Sequence, residues 1–218
     1  SEMCIRDSYQ DLIDRHLGNF LTGKPSQADM NVLNMLNAKY IVMSDDQVFT
    51  NPDALGNAWF IDNIDYVDNA DKEMAALSTI DPASTAVSDR RFMETLGSTV
   101  PAKQPGDTIY ETSYAPDKLT YTVNSANGGV AVFSEVYFPW GWQATIDGKE
   151  APLARVNYVL RALKVPAGKH TIAMIFNPKS ISVTTTLATV AIIIIYLAVA
   201  SAVIFYLIPK KHRDHETT

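Results

Sequence analysis

The chain is 218 residues long, 47% hydrophobic and 19% charged, with 18 Lys and Arg against 24 Asp and Glu and a formal net charge of −6. An acidic surplus of this kind gives no electrostatic footprint for nucleic acid, and the apolar content excludes a disordered chain. A single cysteine, Cys4, excludes an internal disulfide.

In chain order, Tyr9, Leu12, Ile13, Leu17 and Phe20 recur at helical spacing, and Gly18, Gly23 and Pro25 close that element. A second helix is predicted over Gln27 to Ala38, then a short buried strand from Lys39 to Met43 and a loop through Asn51-Pro52 and Gly56. Ala58 to Val67 reads as one strand, and Asp68 or Asn69 caps a helix over Ala70 to Leu77. A strand near Thr85 to Val87 and a polar connection from Gly97 to Gly106 complete the first half.

From Thr108 the pattern changes to period two. Leu119, Tyr121 and Val123 alternate with threonines, Asn127-Gly128-Gly129 marks a turn, and Val130 to Val136 returns. Asp147-Gly148 joins two strands as a strong hairpin signal, and Pro166-Ala167-Gly168 turns the last pair, Tyr158 to Val165 and His170 to Phe176. Shared parity of Val130, Val132, Val136, Phe138, Trp142, Ala144 and Ile146 predicts a single core face, with Glu135 and Tyr137 on the other.

Ser180 to Pro209 contains no charged side chain, and Lys210, Lys211 and Arg213 follow it. A helix needs about 20 apolar residues to cross the hydrocarbon, more than a strand usually supplies. The Leu, Ile, Val and Phe residues from Leu187 to Ile208 favour insertion by about −4 to −8 kcal/mol at most. The lipid bilayer is thus an expected partner. The basic flank predicts a cytoplasmic C-terminus and an extracytoplasmic body, in a periplasm or beyond a cell surface. Thr189, Tyr196 and Ser201 put hydroxyls at membrane depth, where they bond either another helix or their own. The expected fold class is therefore α+β: a mixed helix and strand region over 9–117, an antiparallel β-sandwich over 118–178, one transmembrane helix over 183–208 and a tail over 209–218.

Enzymatic signatures are missing: no Gly-rich phosphate loop, no His-Glu-x-x-His and no Gly-x-Ser-x-Gly occurs. No catalytic residue, metal ligand set or cofactor is predicted. Asp62, Asp65, Asp68 and Asp71 lack the alternation and glycine of a calcium loop and read as a solvated edge with a helix cap. The most suggestive stretch runs from Ser134 to Trp142, where aromatic rings accompany a carboxylate as they do on sugar-binding surfaces. Glu135, Tyr137 and Trp140, with Arg155 on a following strand, are the candidate ligand-binding residues. Arg155 and Arg161 are also candidates for ordinary ion pairs with Glu135.

Ser134-Glu135-Val136-Tyr137-Phe138-Pro139-Trp140-Gly141-Trp142, Ile146-Asp147-Gly148-Lys149-Glu150-Ala151-Pro152, Asn157-Tyr158-Val159-Leu160-Arg161-Ala162-Leu163 and Val165-Pro166-Ala167-Gly168-Lys169-His170 together resemble the bacterial YfhO membrane-protein family. Segments Tyr9 to Ile13, Leu33 to Tyr40 and Asn51 to Phe60 fit the same family. The resemblance implies a large polytopic protein of the bacterial cytoplasmic membrane that looks like a GT-C type glycosyltransferase, taking sugar from a polyprenyl-phosphate donor and acting on cell-envelope polymers. It implies that this chain is the exterior C-terminal part and last helix, without the catalytic loop. Other transmembrane helices and an envelope glycan would then be its partners. Residues 1–8 depart from the family and look like a non-native leader. The alternative expectation is a membrane-anchored structural or interaction module with no sugar contact.

Overall fold

The computed structural model describes residues 5–21, 23–44 and 47–207. Cys4 and the predicted tail 209–218 lie outside the described residues, as does part of the expected leader. The chain divides into two compact units, Ser1–Phe176 and Asn177–Thr218.

The first unit opens with helix α1 (Ile5–Leu12), a π-type turn over Ile13–Leu17 and helix α2 (Gly18–Leu21). The wider π turn helps bring both Leu12 and His16 inward, at 0% and 4% exposure. Helix α3 (Gln27–Met35) starts in a reciprocal cap: Asp29 N donates to Ser26 Oγ, and Ser26 N donates to Asp29 Oδ2 at 2.7 Å. Asn19 Nδ2 also donates to Asp29 Oδ2, and His16 Nδ1 lies 3.3 Å from Asp29 Oδ1. A hairpin of β1 (Tyr40–Ser44) and β2 (Gln47–Thr50) follows.

The single strand expected over Ala58 to Val67 is divided. Strand β3 (Ala58–Ile61) joins the main sheets, whereas β4 (Asn63–Val67) pairs in parallel with β5 (Thr85–Asp89). Asp62 separates them, its backbone N–H donating to Ser84 O. Helix α4 (Ala70–Ala76) crosses between β4 and β5, capped by Asn69, whose Oδ1 accepts from Lys72 N at 2.9 Å. A 3₁₀ turn over Arg90–Phe92 and helix α5 (Met93–Leu96) follow.

The remaining strands are β6 (Thr108–Ala115), β7 (Lys118–Ser125), β8 (Gly129–Val136), β9 (Trp142–Ile146), β10 (Lys149–Ala151), β11 (Ala154–Val156), β12 (Leu160–Val165) and β13 (Gly168–Phe176). They form a five-stranded sheet, β10-β9-β13-β7-β6, facing a four-stranded one, β11-β12-β8-β3. Strands β3 and β6 come from upstream of residue 118, so the sandwich draws on more of the chain than 118–178. The tight β7–β8 turn needs Gly128: its φ is +71°, and an added Cβ would meet Val165 O at 2.6 Å.

One expectation about the core is overturned. Strand β8 is buried on both faces from Gly129 to Phe133, so no single parity marks its core side. Ala131 and Phe133 pack with Leu119, Tyr121, Ile172 and Met174 between the two sheets. Val130 and Val132 face the other way, against Leu12, Val32, Met35, Met74 and Leu77 from the helices. The arrangement is therefore three layers, helix on sheet on sheet, with the four-stranded sheet in the middle.

The second unit contains helix α6 (Lys179–Leu207). Its Val183–Tyr206 segment is 24 residues long with mean hydropathy 2.7, long and apolar enough to cross a membrane at about 1.5 Å per residue. Two of its hydroxyls serve their own helix: Thr189 Oγ1 donates to Thr185 O and Ser201 Oγ to Ala198 O, both at 2.8 Å.

Ser26→Ala removes the α3 cap and should lower stability by about 1 kcal/mol, read from denaturant unfolding of the detergent-solubilised chain. Burial works against ionisation of Asp29, but the Ser26 backbone and hydroxyl, Asn19 and His16 hold its carboxyl below the usual range. Its contribution is thus present above the unfolded carboxyl's pKa and lost as pH falls through the lower, folded value. Asp29→Asn should flatten that acid limb of the stability profile.

Candidate functional site

One end of the middle sheet meets the helical layer in a cleft of about 830 Å³. Helix α1 supplies Ser8 and Asp11, the start of α4 supplies Asn69 and Asp71, and the end of β5 with its 3₁₀ turn supplies Asp89, Arg91 and Phe92. The segment leaving β8 contributes Tyr137, Pro139 and Trp140, β11 contributes Arg155, and the β11–β12 turn contributes Tyr158 and Val159.

The β11–β12 turn is the anchor of the site. Asn157 and Tyr158 both hold positive φ, 49° and 70°, a costly conformation for residues with a Cβ. Asn157 holds the turn to β5 in both directions: Val87 N donates to its Oδ1 at 2.9 Å, and its own N–H donates to Val87 O at 2.7 Å. Tyr158 is fixed at both ends, with its N–H donating to Glu73 Oε1 and its hydroxyl to Asp11 Oδ2, each at 3.0 Å. Burial, the hydrogen bond to Asp11 and its negative charge push the Tyr158 phenol up to about 12, so it stays protonated and donates.

Beneath the turn lies an ion pair removed from water. Arg155 Nη2 donates to Glu73 Oε2 at 2.7 Å, with the two side chains 6% and 0% exposed. Burial raises the Glu73 carboxyl against the opposing pull of Arg155 and the Tyr158 N–H. The facing wall is aromatic. Phe92 and Tyr137 meet edge to face at 5.6 Å, Tyr137 N donates to Val159 O at 2.7 Å, and the Arg91 guanidinium lies 4.8 Å from the Phe92 centroid. Trp140 sits at the rim, 51% exposed, braced edge-on by Phe138 at 5.4 Å. Gly141 beside it leaves room for the Phe176 ring, which an added Cβ would meet at 2.2 Å.

Of the four residues singled out from the sequence, Tyr137, Trp140 and Arg155 line this one cleft. Glu135 does not: its Oε2 lies 3.8 Å from Arg161 Nη2, and burial raises its carboxyl while Arg161 opposes the shift. Arg161 itself is buried over the Trp142 ring at 4.1 Å and donates from Nε to Val136 O, which makes Trp142 a packing residue. Arg155 takes Glu73 as its carboxylate partner. Asp68 pairs at the surface with Lys72 and Arg90, and among the described residues no group of three or more His, Cys, Asp and Glu is placed to hold a metal.

The sequence reading missed Asp11, Glu73, Asp89, Phe92 and Tyr158. Asn157-Tyr158 carried a usable signal, since an asparagine between two short apolar runs suits a turn with positive φ. The others are joined only by tertiary structure: Glu73 and Tyr158 lie 85 residues apart.

Residues 103–188 match the family described as bacterial membrane protein YfhO. The matched span runs from before β6 into α6 and holds Tyr137, Trp140 and the β11–β12 turn; α1, α4, β5 and Phe92 precede it. No curated protein matches the chain.

Truncating Glu73 to Ala leaves Arg155 buried without its carboxylate and releases the Tyr158 N–H. The expected loss is about 3–5 kcal/mol in denaturant unfolding, with Glu73→Gln milder because it keeps hydrogen-bonding capacity.

Proposed function

We propose that this YfhO-like chain is the extracytoplasmic body and membrane helix of a glycosyltransferase that uses a polyprenyl-phosphate sugar, and that its cleft holds a saccharide of the envelope polymer or donor. The observation that carries the reading is the composition of the cleft. Aromatic rings at Phe92, Tyr137, Trp140 and Tyr158 share one cavity with the carboxylates of Asp11, Asp71 and Asp89. Rings stack on the apolar faces of pyranoses, and carboxylates accept hydrogen bonds from hydroxyls. The cleft is accessory to the chemistry: Glu73 is fully buried against Arg155, and Tyr158 is held protonated, so neither is poised as a general base.

The basic residues Lys210, Lys211 and Arg213 after the apolar helix support a cytoplasmic C-terminus, which puts the body outside. Protease added to wall-stripped cells should digest the body and spare an epitope fused after Thr218. Protection of the body would overturn this orientation.

A second reading, an interaction module, is favoured by the β1–β2 hairpin, which leaves Tyr40, Val42, Val48 and Phe49 more than half exposed. The two readings separate on Trp140. Because its ring is half in solvent, Trp140→Ala should leave the unfolding midpoint nearly unchanged and weaken binding of envelope saccharides about ten-fold, measured by calorimetry on the solubilised chain. Unchanged affinity, or no saccharide binding by the parent chain, would leave the hairpin reading standing.

A further inference from the structure

Resting on the saccharide reading of the cleft, we infer that it selects a sugar bearing a free amino group, bound as the ammonium, over N-acylated or acidic counterparts. Among the described residues, the charges lining the cavity do not balance. Arg155 is neutralised by Glu73 at 2.7 Å beneath the turn. Arg91 is held near Asp89, Nε to Oδ2 3.8 Å, while Asp89 Oδ1 also accepts the Arg91 backbone N–H at 3.0 Å. Asp11 and Asp71 remain. Asp11 has the neutral Tyr158 hydroxyl as its partner, and Asp71 is exposed with no ion-pair partner among the described residues.

These two carboxylates come from different helices, α1 and α4, and line the same cavity. They therefore converge on one place, beside aromatic rings. An acidic patch in open water would be satisfied by solvent. Here the carboxylates open into a concavity with the Tyr158, Tyr137 and Phe92 rings and the exposed Trp140, where an ammonium gains carboxylate hydrogen bonds and the attraction of ring faces. A phosphate or uronate in the same place meets two uncompensated negative charges with no free guanidinium beside them among the described residues. N-acylation removes the charge and with it this part of the interaction.

The test is calorimetric titration of the full chain in a neutral detergent at about pH 6, below the ~8 typical of an α-amino group. Three probes are compared: a glucosamine tetrasaccharide, its N-acetylated counterpart and a glucuronate oligosaccharide. The glucosamine oligomer should bind about ten-fold tighter than the N-acetylated one, with the gap closing at about 0.5 M salt, and the glucuronate should not bind. Asp71→Asn, a substitution at an exposed position, should weaken the glucosamine oligomer several-fold and leave the N-acetylated oligomer unchanged. Equal or tighter binding of the N-acetylated or glucuronate probe overturns the charge inference while the saccharide reading stands. Binding by none of the three overturns both.

Discussion

The structure depends on a sheet that must be covered twice. Strands β8 and β12 alternate apolar side chains to both faces: Ala131, Phe133, Leu163 and Val165 to the five-stranded sheet, Val130, Val132, Leu160 and Ala162 to the helices. Each fully buried Leu, Ile, Val, Met or Phe is worth about 1.5–3 kcal/mol against exposure. Loss of the helical layer would expose several of these on the strands and as many again on Leu12, Val32, Met35, Met74 and Leu77. The N-terminal helices are thus part of the same core as the strands, and the cleft forms where the two layers end together.

Within that frame, the Arg155–Glu73 pair fixes shape more than it adds stability. Desolvation of two charges offsets much of their attraction, which is why burial raises the Glu73 carboxyl even with a guanidinium at 2.7 Å. Only one placement satisfies both of its oxygens: one takes Arg155 on β11 and the other the Tyr158 N–H in the turn. The helix that carries Glu73 also presents Asp71 to the cleft, and the strand after it ends in Asp89. One buried carboxylate therefore sets the position of α4 relative to the strained turn, and with it the spacing of the acidic and aromatic walls.

Much of the architecture was legible in local pattern. The capping residue of α4, the Asp147-Gly148 hairpin and the long apolar helix each rest on contacts a few residues apart, which a sequence displays directly. The errors arise where tertiary context decides. Period-two reasoning assumes one wet face, and β8 has none in its first five residues. Ala58 to Val67 looks like a uniform strand because nothing local announces that its halves enter different sheets. At the site, Tyr137 and Trp140 stood out as an aromatic cluster and Arg155 as a nearby cation. Glu135 was grouped with them by proximity in sequence, yet two residues of strand carry it to Arg161 instead. Asp11 and Glu73 could not be chosen among the many acidic residues, because what distinguishes them is contact with Tyr158 across 147 and 85 residues.

The two units differ in what they offer a membrane. The helix is uncharged and apolar from Val183 to Tyr206, whereas the body carries all of the acidic surplus and is repelled by anionic headgroups. On the proposed reading, attachment comes from the helix alone and recognition from the body alone. Tethering then changes what the cleft must achieve. A site held on a short linker meets membrane-bound polymer at an effective concentration in the millimolar range, so dissociation constants of that order suffice for occupancy. An open cleft with a half-exposed tryptophan at its rim suits such weak, reversible contact. A tight site would need deeper enclosure of its ligand and would slow its release.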